Sequence, residues 1–172
     1  MTTIARTSLA PDVARWPWRL TGILTTQASW LQTLVRLTAG GVLFPHGAQH
    51  FLGWFGGFGF TGTLTWMTDS QGFPAPLAAA GILLEFFGPL ALVAGIATRP
   101  IALALAVFMT VAASTHVANG FFMNWVGAQP TGIEGFEYHI LAVVLCLVAA
   151  VRGGGAGSVD RALTARFDRS PQ

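Results

Sequence analysis

Charge is scarce in this chain. Nine basic and seven acidic side chains serve 172 residues, 9% of the sequence, where an ordinary soluble domain carries about 25%. A water-soluble globule needs charge to solvate its surface, so most of the outside of this one must face lipid. The apolar share of 53% and a length suited to one domain fit that reading. A soluble enzyme, a disordered chain and a nucleic-acid binder are all disfavoured, the last because the net charge is only +2 and polyanion binding is driven by many phosphate contacts. Every basic residue is an arginine, and the single cysteine, Cys146, excludes an intramolecular disulfide and a CxxC dithiol relay.

Four apolar stretches approach the ~20 residues needed to cross a hydrocarbon core: about 31–53, 75–97, 100–119 and the shorter 136–151. None alternates with period two, and a spanning segment that is not part of a closed barrel must be helical. The expected fold is therefore all-α, an integral membrane four-helix antiparallel bundle with aromatic external loops. Pro45 and Pro89 fall inside spans and predict kinks; Pro100 suits a helix start. The expected domains are an interfacial or cytoplasmic segment 1–30, a transmembrane domain 31–152 and a cytoplasmic tail 153–172, small, polar and mobile. The first segment has no apolar core of the signal-peptide kind, and Trp16, Trp18 and Trp30 suit headgroup level.

Arginine placement orients the chain. Arg6, Arg15 and Arg19 precede the first span, Arg99 lies between the second and third, and Arg152, Arg161, Arg166 and Arg169 follow the fourth. The connections 54–74 and 120–135 have no basic residue. Both termini are expected in the cytoplasm, as in a multi-pass protein of a bacterial inner membrane. His46, His50, His116 and His139 then fall at the external ends of their spans.

The sequence also resembles itself. His46-Gly-Ala48-Gln49 running to Trp54-Phe-Gly56 parallels His116-Val-Ala118-Asn119 running to Trp125-Val-Gly127, with one gap. Two helix hairpins related by an axis along the membrane normal would produce this, although Glu85 and Glu137, the matching acids, stand at different expected depths.

Ionisable residues inside a span are costly and need a reason. Arg36 and Glu85 are expected to form a structural ion pair, despite Cα depths that differ by roughly 10 Å at 1.5 Å per residue; alternatively Glu85 is protonatable and serves a ligand or proton path. His46 and His50, at i and i+4, share a helix face. With His116 and His139 they could grip a metal ion, or simply bond carbonyls and headgroups. Two stacked haems would need histidines at two depths, so haem is disfavoured. The external loops are rich in aromatics, among them Trp54, Phe55, Phe58, Phe60, Trp66 and Phe73, then Phe121, Phe122, Trp125 and Phe136. They suit an interfacial belt or a lid over an apolar ring ligand. A quinone head group fits the second reading. His46, Gln49, His50, Glu85, His116, Asn119, Glu137, Tyr138 and His139 would bind it, with Glu85 and His116 as candidate proton donors. No P-loop, dinucleotide fingerprint, serine elbow or HExxH occurs in the sequence.

An ordered set of segments resembles the DoxX family over about residues 31–161. They are Leu34-Val35-Arg36-Leu37 leading to Phe44-Pro45-His46-Gly47, Gly72-Phe73-Pro74, Leu84-Glu85-Phe86-Phe87-Gly88, the stretch from Gly95 to Arg99, Met109 to His116, Asn119-Gly120-Phe121-Phe122, Glu134-Gly135-Phe136-Glu137-Tyr138, and the glycine-rich Ser158-x-Asp160 ending. Pro89 stands where a glycine is usual. The resemblance implies a four-helix bacterial inner-membrane protein. Some relatives are linked to thiosulfate:quinone oxidoreduction, others to oxidative-stress or thiol-redox membrane complexes. The function expected is thus a quinone-linked redox membrane protein or a membrane subunit of an oxidoreductase, in contact with the bilayer and with a protein partner or further copies of itself. The alternatives are a metal-binding membrane protein and a non-enzymatic anchor or assembly factor.

Overall fold

The computed structural model describes residues 22, 24–124, 127 and 133–167. Within them the chain forms six α-helices and no strand: α1 Trp30–Leu52, α2 Gly59–Thr65, α3 Ala75–Ala94, α4 Thr98–His116, α5 Glu137–Arg152 and α6 Val159–Phe167. The four long helices α1, α3, α4 and α5 close a ring in which α1 packs on α3 and α5, and α4 packs on the same two. The ends of α3 and α5 meet the starts of α1 and α4. Arg99, near the start of α4, donates to Val151 O at 2.5 Å and to Thr25 O at 3.1 Å.

Small residues let these helices approach. The core contains Ala39, Ala102, Ala106, Ala142, Cys146 and Ala149 among a few larger side chains such as Leu43, Leu92 and Leu105. Large apolar side chains point outward instead, including Leu103 at 53% exposure and Leu141 at 60%. That distribution suits lipid, which offers no hydrophobic drive between helices and leaves close packing of small residues to hold them. Two helical stretches, Ala75–Ala94 and Thr98–Asn119, are long and apolar enough to cross a membrane. The closest approach is between α1 and α3. A Cβ added at Gly47 would stand 2.1 Å from Glu85 O, and one at Gly40 would stand 2.8 Å from Pro89 O. Pro45 and Pro89 both lie inside helices that continue past them.

Ser29 caps α1, its hydroxyl accepting from Gln32 N at 3.4 Å, and Gly53 ends it in the left-handed region at φ 76°. The connection from α1 is not a plain loop. A 3-10 turn Trp54–Gly56 leads to α2, which continues as a π-helical turn Trp66–Ser70. Between α3 and α4 the turn is tight, and Ala97 holds a left-handed φ of 46°, a conformation costly for any residue with a Cβ. The Asp160 carboxylate secures it, accepting from Ala97 N at 2.7 Å and Thr98 N at 2.8 Å. These are two of the donors that the start of α4 would otherwise leave unpaired.

Asp160 belongs to the segment expected to be a mobile tail. Residues 153–160 instead form a strap across the helix ends. Gly155 N donates to Thr26 Oγ1 at 2.8 Å, Ala156 N to Ser29 O at 3.1 Å and Asp160 N to Gly95 O at 2.9 Å. The glycines are required by contact: a Cβ at Gly155 would meet Ser29 O at 2.6 Å, and one at Gly154 would meet the Ser158 side chain. What reads as a linker composition is a close-packed backbone crossing.

The expected Arg36–Glu85 pair is absent. Arg36 is 1% exposed, and its guanidinium donates to four carbonyls: Gly154 O at 2.9 Å, Gly157 O at 2.8 Å, Leu92 O and Val93 O. The last turn of a helix leaves its carbonyls without partners. Those of α3 therefore lie at the depth of Arg36, whereas Glu85 lies about two turns earlier in the helix. Arg36 clamps α1, α3 and the strap together.

Two outcomes follow for stability. Gly47→Ala should cost about 1–3 kcal/mol and lower the unfolding temperature in detergent, whereas Gly41→Ala, which meets open space, should be neutral or slightly stabilising. In double-mutant cycles, Arg36→Met and Glu85→Gln should add to within about 0.5 kcal/mol. Arg36→Met and Asp160→Asn, which loosen the same strap, should deviate from additivity by more than that.

Candidate functional site

A cavity of about 600 Å³ lies among the four long helices and beneath α2, within the usual range for small-molecule sites. From α1 it is lined by Leu43, His46, Gln49 and His50; from α3 by Glu85; from α4 by His116; from α5 by Tyr138 and His139. Thr63 and Trp66 reach it from the α2 segment, and Glu134 from the approach to α5.

The strongest contact is local in origin. Gly47 lets α1 lie on the α3 backbone at Glu85 itself, and three residues further along α1 the His50 ring comes level with the Glu85 side chain. His50 Nδ1 and Glu85 Oε2 are 2.5 Å apart, a short, charge-assisted type of bond when either group is ionised. Glu85 is buried, while the His50 side chain is 37% exposed toward the cavity it lines. One turn before His50, the His46 ring packs on Tyr138 with centroids 5.2 Å apart. His116 meets His139 edge-on at 4.7 Å, and the His139 ring is itself 5.7 Å from that of Tyr138.

Three buried polar atoms on residues lining this cavity have no hydrogen-bond partner: Tyr138 Oη, His139 Nδ1 and Thr63 Oγ1. An unpaired buried polar group costs about 1–3 kcal/mol, and native structures rarely leave several together. Their presence around one cavity is what a site completed by a polar ligand atom or water would show.

Two expected site residues stand elsewhere. Asn119 donates to Glu134 O at 3.0 Å, and Glu137 accepts from Met123 N at 3.1 Å. Both sit at the joint between the segment after α4 and the start of α5, where Gly135 N donates to Phe122 O and Glu137 N to Phe121 O. They brace that connection and are not part of the cavity wall. Glu137 begins α5 and Glu85 lies mid-α3, so the two acids do not hold equivalent positions in the proposed repeat. Trp125, also part of that repeat, lies outside the described residues, as do Trp16, Trp18, Arg6, Arg15, Arg19 and Arg169.

The alternative metal set does not assemble. Among the described residues no three His, Cys, Asp or Glu side chains are close enough to hold one metal ion. His50 is taken by Glu85, His46 faces Tyr138, and His116 pairs with His139. Thr63, like Glu134, is a polar contributor that sequence reasoning missed. Its signal was the helical spacing of Phe60, Thr63, Leu64 and Met67, hidden by the flanking glycines.

The DoxX family profile matches residues 31–125. No curated protein and no solved structure matches the chain significantly. The matched region runs from the start of α1 through α4 and holds Arg36, the His50–Glu85 pair and the paired glycines of the α1–α3 contact. By this match over more than half its length, the chain belongs to the DoxX family of membrane-associated proteins.

Proposed function

We propose that this protein is a quinone-binding transmembrane subunit of an oxidoreductase complex in a bacterial inner membrane. In this reading it is an antiparallel four-helix bundle with both termini cytoplasmic and its histidine-lined cavity toward the outer face. The supporting observation is the trio of unpartnered polar atoms, Tyr138 Oη, His139 Nδ1 and Thr63 Oγ1, around a cavity that also presents the His50–Glu85 pair.

A quinone brings two carbonyl oxygens on a flat apolar ring, and its conversion to the quinol takes up two electrons and two protons. The cavity residues match those needs. The Tyr138 and Thr63 hydroxyls, and His139 as its Nδ1–H tautomer, supply donors for carbonyl oxygens. Leu43 and Met109 form apolar wall for the ring. His50 is placed to give a proton into the cavity while the Glu85 carboxylate, buried behind it, stabilises the charged imidazole. His116, paired with His139, is the second proton-carrying group in reach. In this proposal a protein partner docked on the assembly delivers the electrons, since Cys146 is buried and the chain has no dithiol of its own.

A metal-binding role draws no support, since among the described residues no three possible ligands converge. The anchor or assembly-factor reading leaves a 600 Å³ cavity and its unpaired polar atoms without a purpose, whereas an interior with a purely structural role is normally packed.

The test is quinone binding by the purified protein in lipid nanodiscs, followed through Trp fluorescence quenching. His50→Ala, Glu85→Gln and Tyr138→Phe should each weaken binding roughly tenfold, about 1.4 kcal/mol. Asn119→Ala should leave it unchanged. Unaltered binding in all three cavity variants would remove the assignment.

A further inference from the structure

The cavity is not walled off from the outer surface of the helix ring. Leu77 on α3 and Val107 and Val111 on α4 line it, yet they are 60%, 59% and 43% exposed. The same side chains therefore face both the interior and the lipid-facing exterior.

The gap follows from how α3 and α4 pack. They leave their shared turn close together, with Gly88 against the Leu105 side chain, 3.2 Å from where a Cβ would stand. Two helical turns back along α3, the Phe108 ring sits on Gly81, with Cε2 2.8 Å from such a Cβ. Phe108 and Gly81 both line the cavity. Around and beyond them the cavity is lined by Leu77, Ala80, Val107 and Val111, with no charged side chain among them. A ligand entering from water would be expected to meet polar groups at the mouth; this mouth is hydrocarbon.

We infer that the cavity opens sideways between α3 and α4, with Phe108 seated on Gly81 as its sill, and that its ligand carries a long apolar tail that leaves through this gap into the acyl chains. The inference rests on the quinone reading for the head group and adds the tail and the direction of entry. A tailed ligand keeps its head at the His50–Glu85 end while its chain replaces lipid against Leu77, Val107 and Val111. A tail in the portal leaves one apolar environment for another, so its burial there adds little to binding. The portal therefore serves access and orientation more than affinity.

The experiment uses the full chain in nanodiscs and two benzoquinones with the same head group, one without a tail and one tetraprenyl, with the matching naphthoquinone pair alongside. Val107→Trp and Val111→Trp place bulk at the rim on exposed positions, and their unfolding temperatures are measured alongside to show the fold is kept. They should slow association of the tetraprenyl ligand at least about tenfold and that of the tailless ligand less than about twofold. Phe108→Ala, which lowers the sill, should speed the tetraprenyl ligand. Equal slowing of both ligands, or no effect of any rim variant, overturns the portal while leaving the head-group assignment in place. If the unsubstituted protein binds neither pair, the head-group reading fails and the portal falls with it.

Discussion

The backbone of α1 at Gly47 rests on the backbone of α3 at Glu85, with no room for even a methyl group between them. Most of what distinguishes this protein depends on that contact. It sets the axial register of the two helices, and the register decides which side chains meet. With helices this close, His50 reaches the Glu85 carboxylate at 2.5 Å. A slip of one turn, about 5.4 Å, would leave an acid buried without a partner, which lipid punishes heavily. Gly40 repeats the approach two turns away against Pro89 O, so the register is held at two points. The acid that a membrane interior disfavours is thus matched to an imidazole by backbone packing.

The other buried charge is resolved differently. Arg36 has no carboxylate among its hydrogen-bond partners; it spends its donors on carbonyls at the end of α3 and in the strap. A guanidinium has five donors in a fixed fork, and few other side chains could serve so many acceptors at once. Asp160 performs the converse task, accepting from backbone N–H groups at the start of α4. Cation to carbonyls and anion to amides together seal one end of the ring. The far end is left free to keep a cavity, because its rigidity does not have to come from side chains filling the middle.

How much of this was legible in the sequence varies with the physics involved. Helical class was legible, and so were two of the four expected apolar spans, Ala75–Ala94 and Thr98–Asn119, because charge scarcity and run length are properties of single segments. Chain direction put His46, His50, His116 and His139 only at the same ends of their expected spans; that all four line one cavity is read from the fold. The partner of Arg36 was not legible. Counting residues gave a depth offset from Glu85, but only the fold reveals that α3 ends at the depth of Arg36 with carbonyls to spare. The strap was hidden because Gly153-Gly-Gly-Ala-Gly reads the same whether the backbone is a linker or is pressed against Ser29 and Thr33. Asn119 and Glu137 looked like site residues because polar side chains near histidines are ambiguous; they went to backbone groups of their own connection. Thr63 was overlooked because its helix is too short and too glycine-flanked to announce itself.

The account stands or falls on what occupies the histidine-lined cavity. The most direct measurement is mass spectrometry of an organic extract from protein purified in mild detergent without an affinity histidine tag, set against an unrelated membrane protein from the same membranes. The account predicts one isoprenoid quinone enriched toward one molecule per chain. Quinone at the level carried by the unrelated protein, with the fold intact, would contradict it.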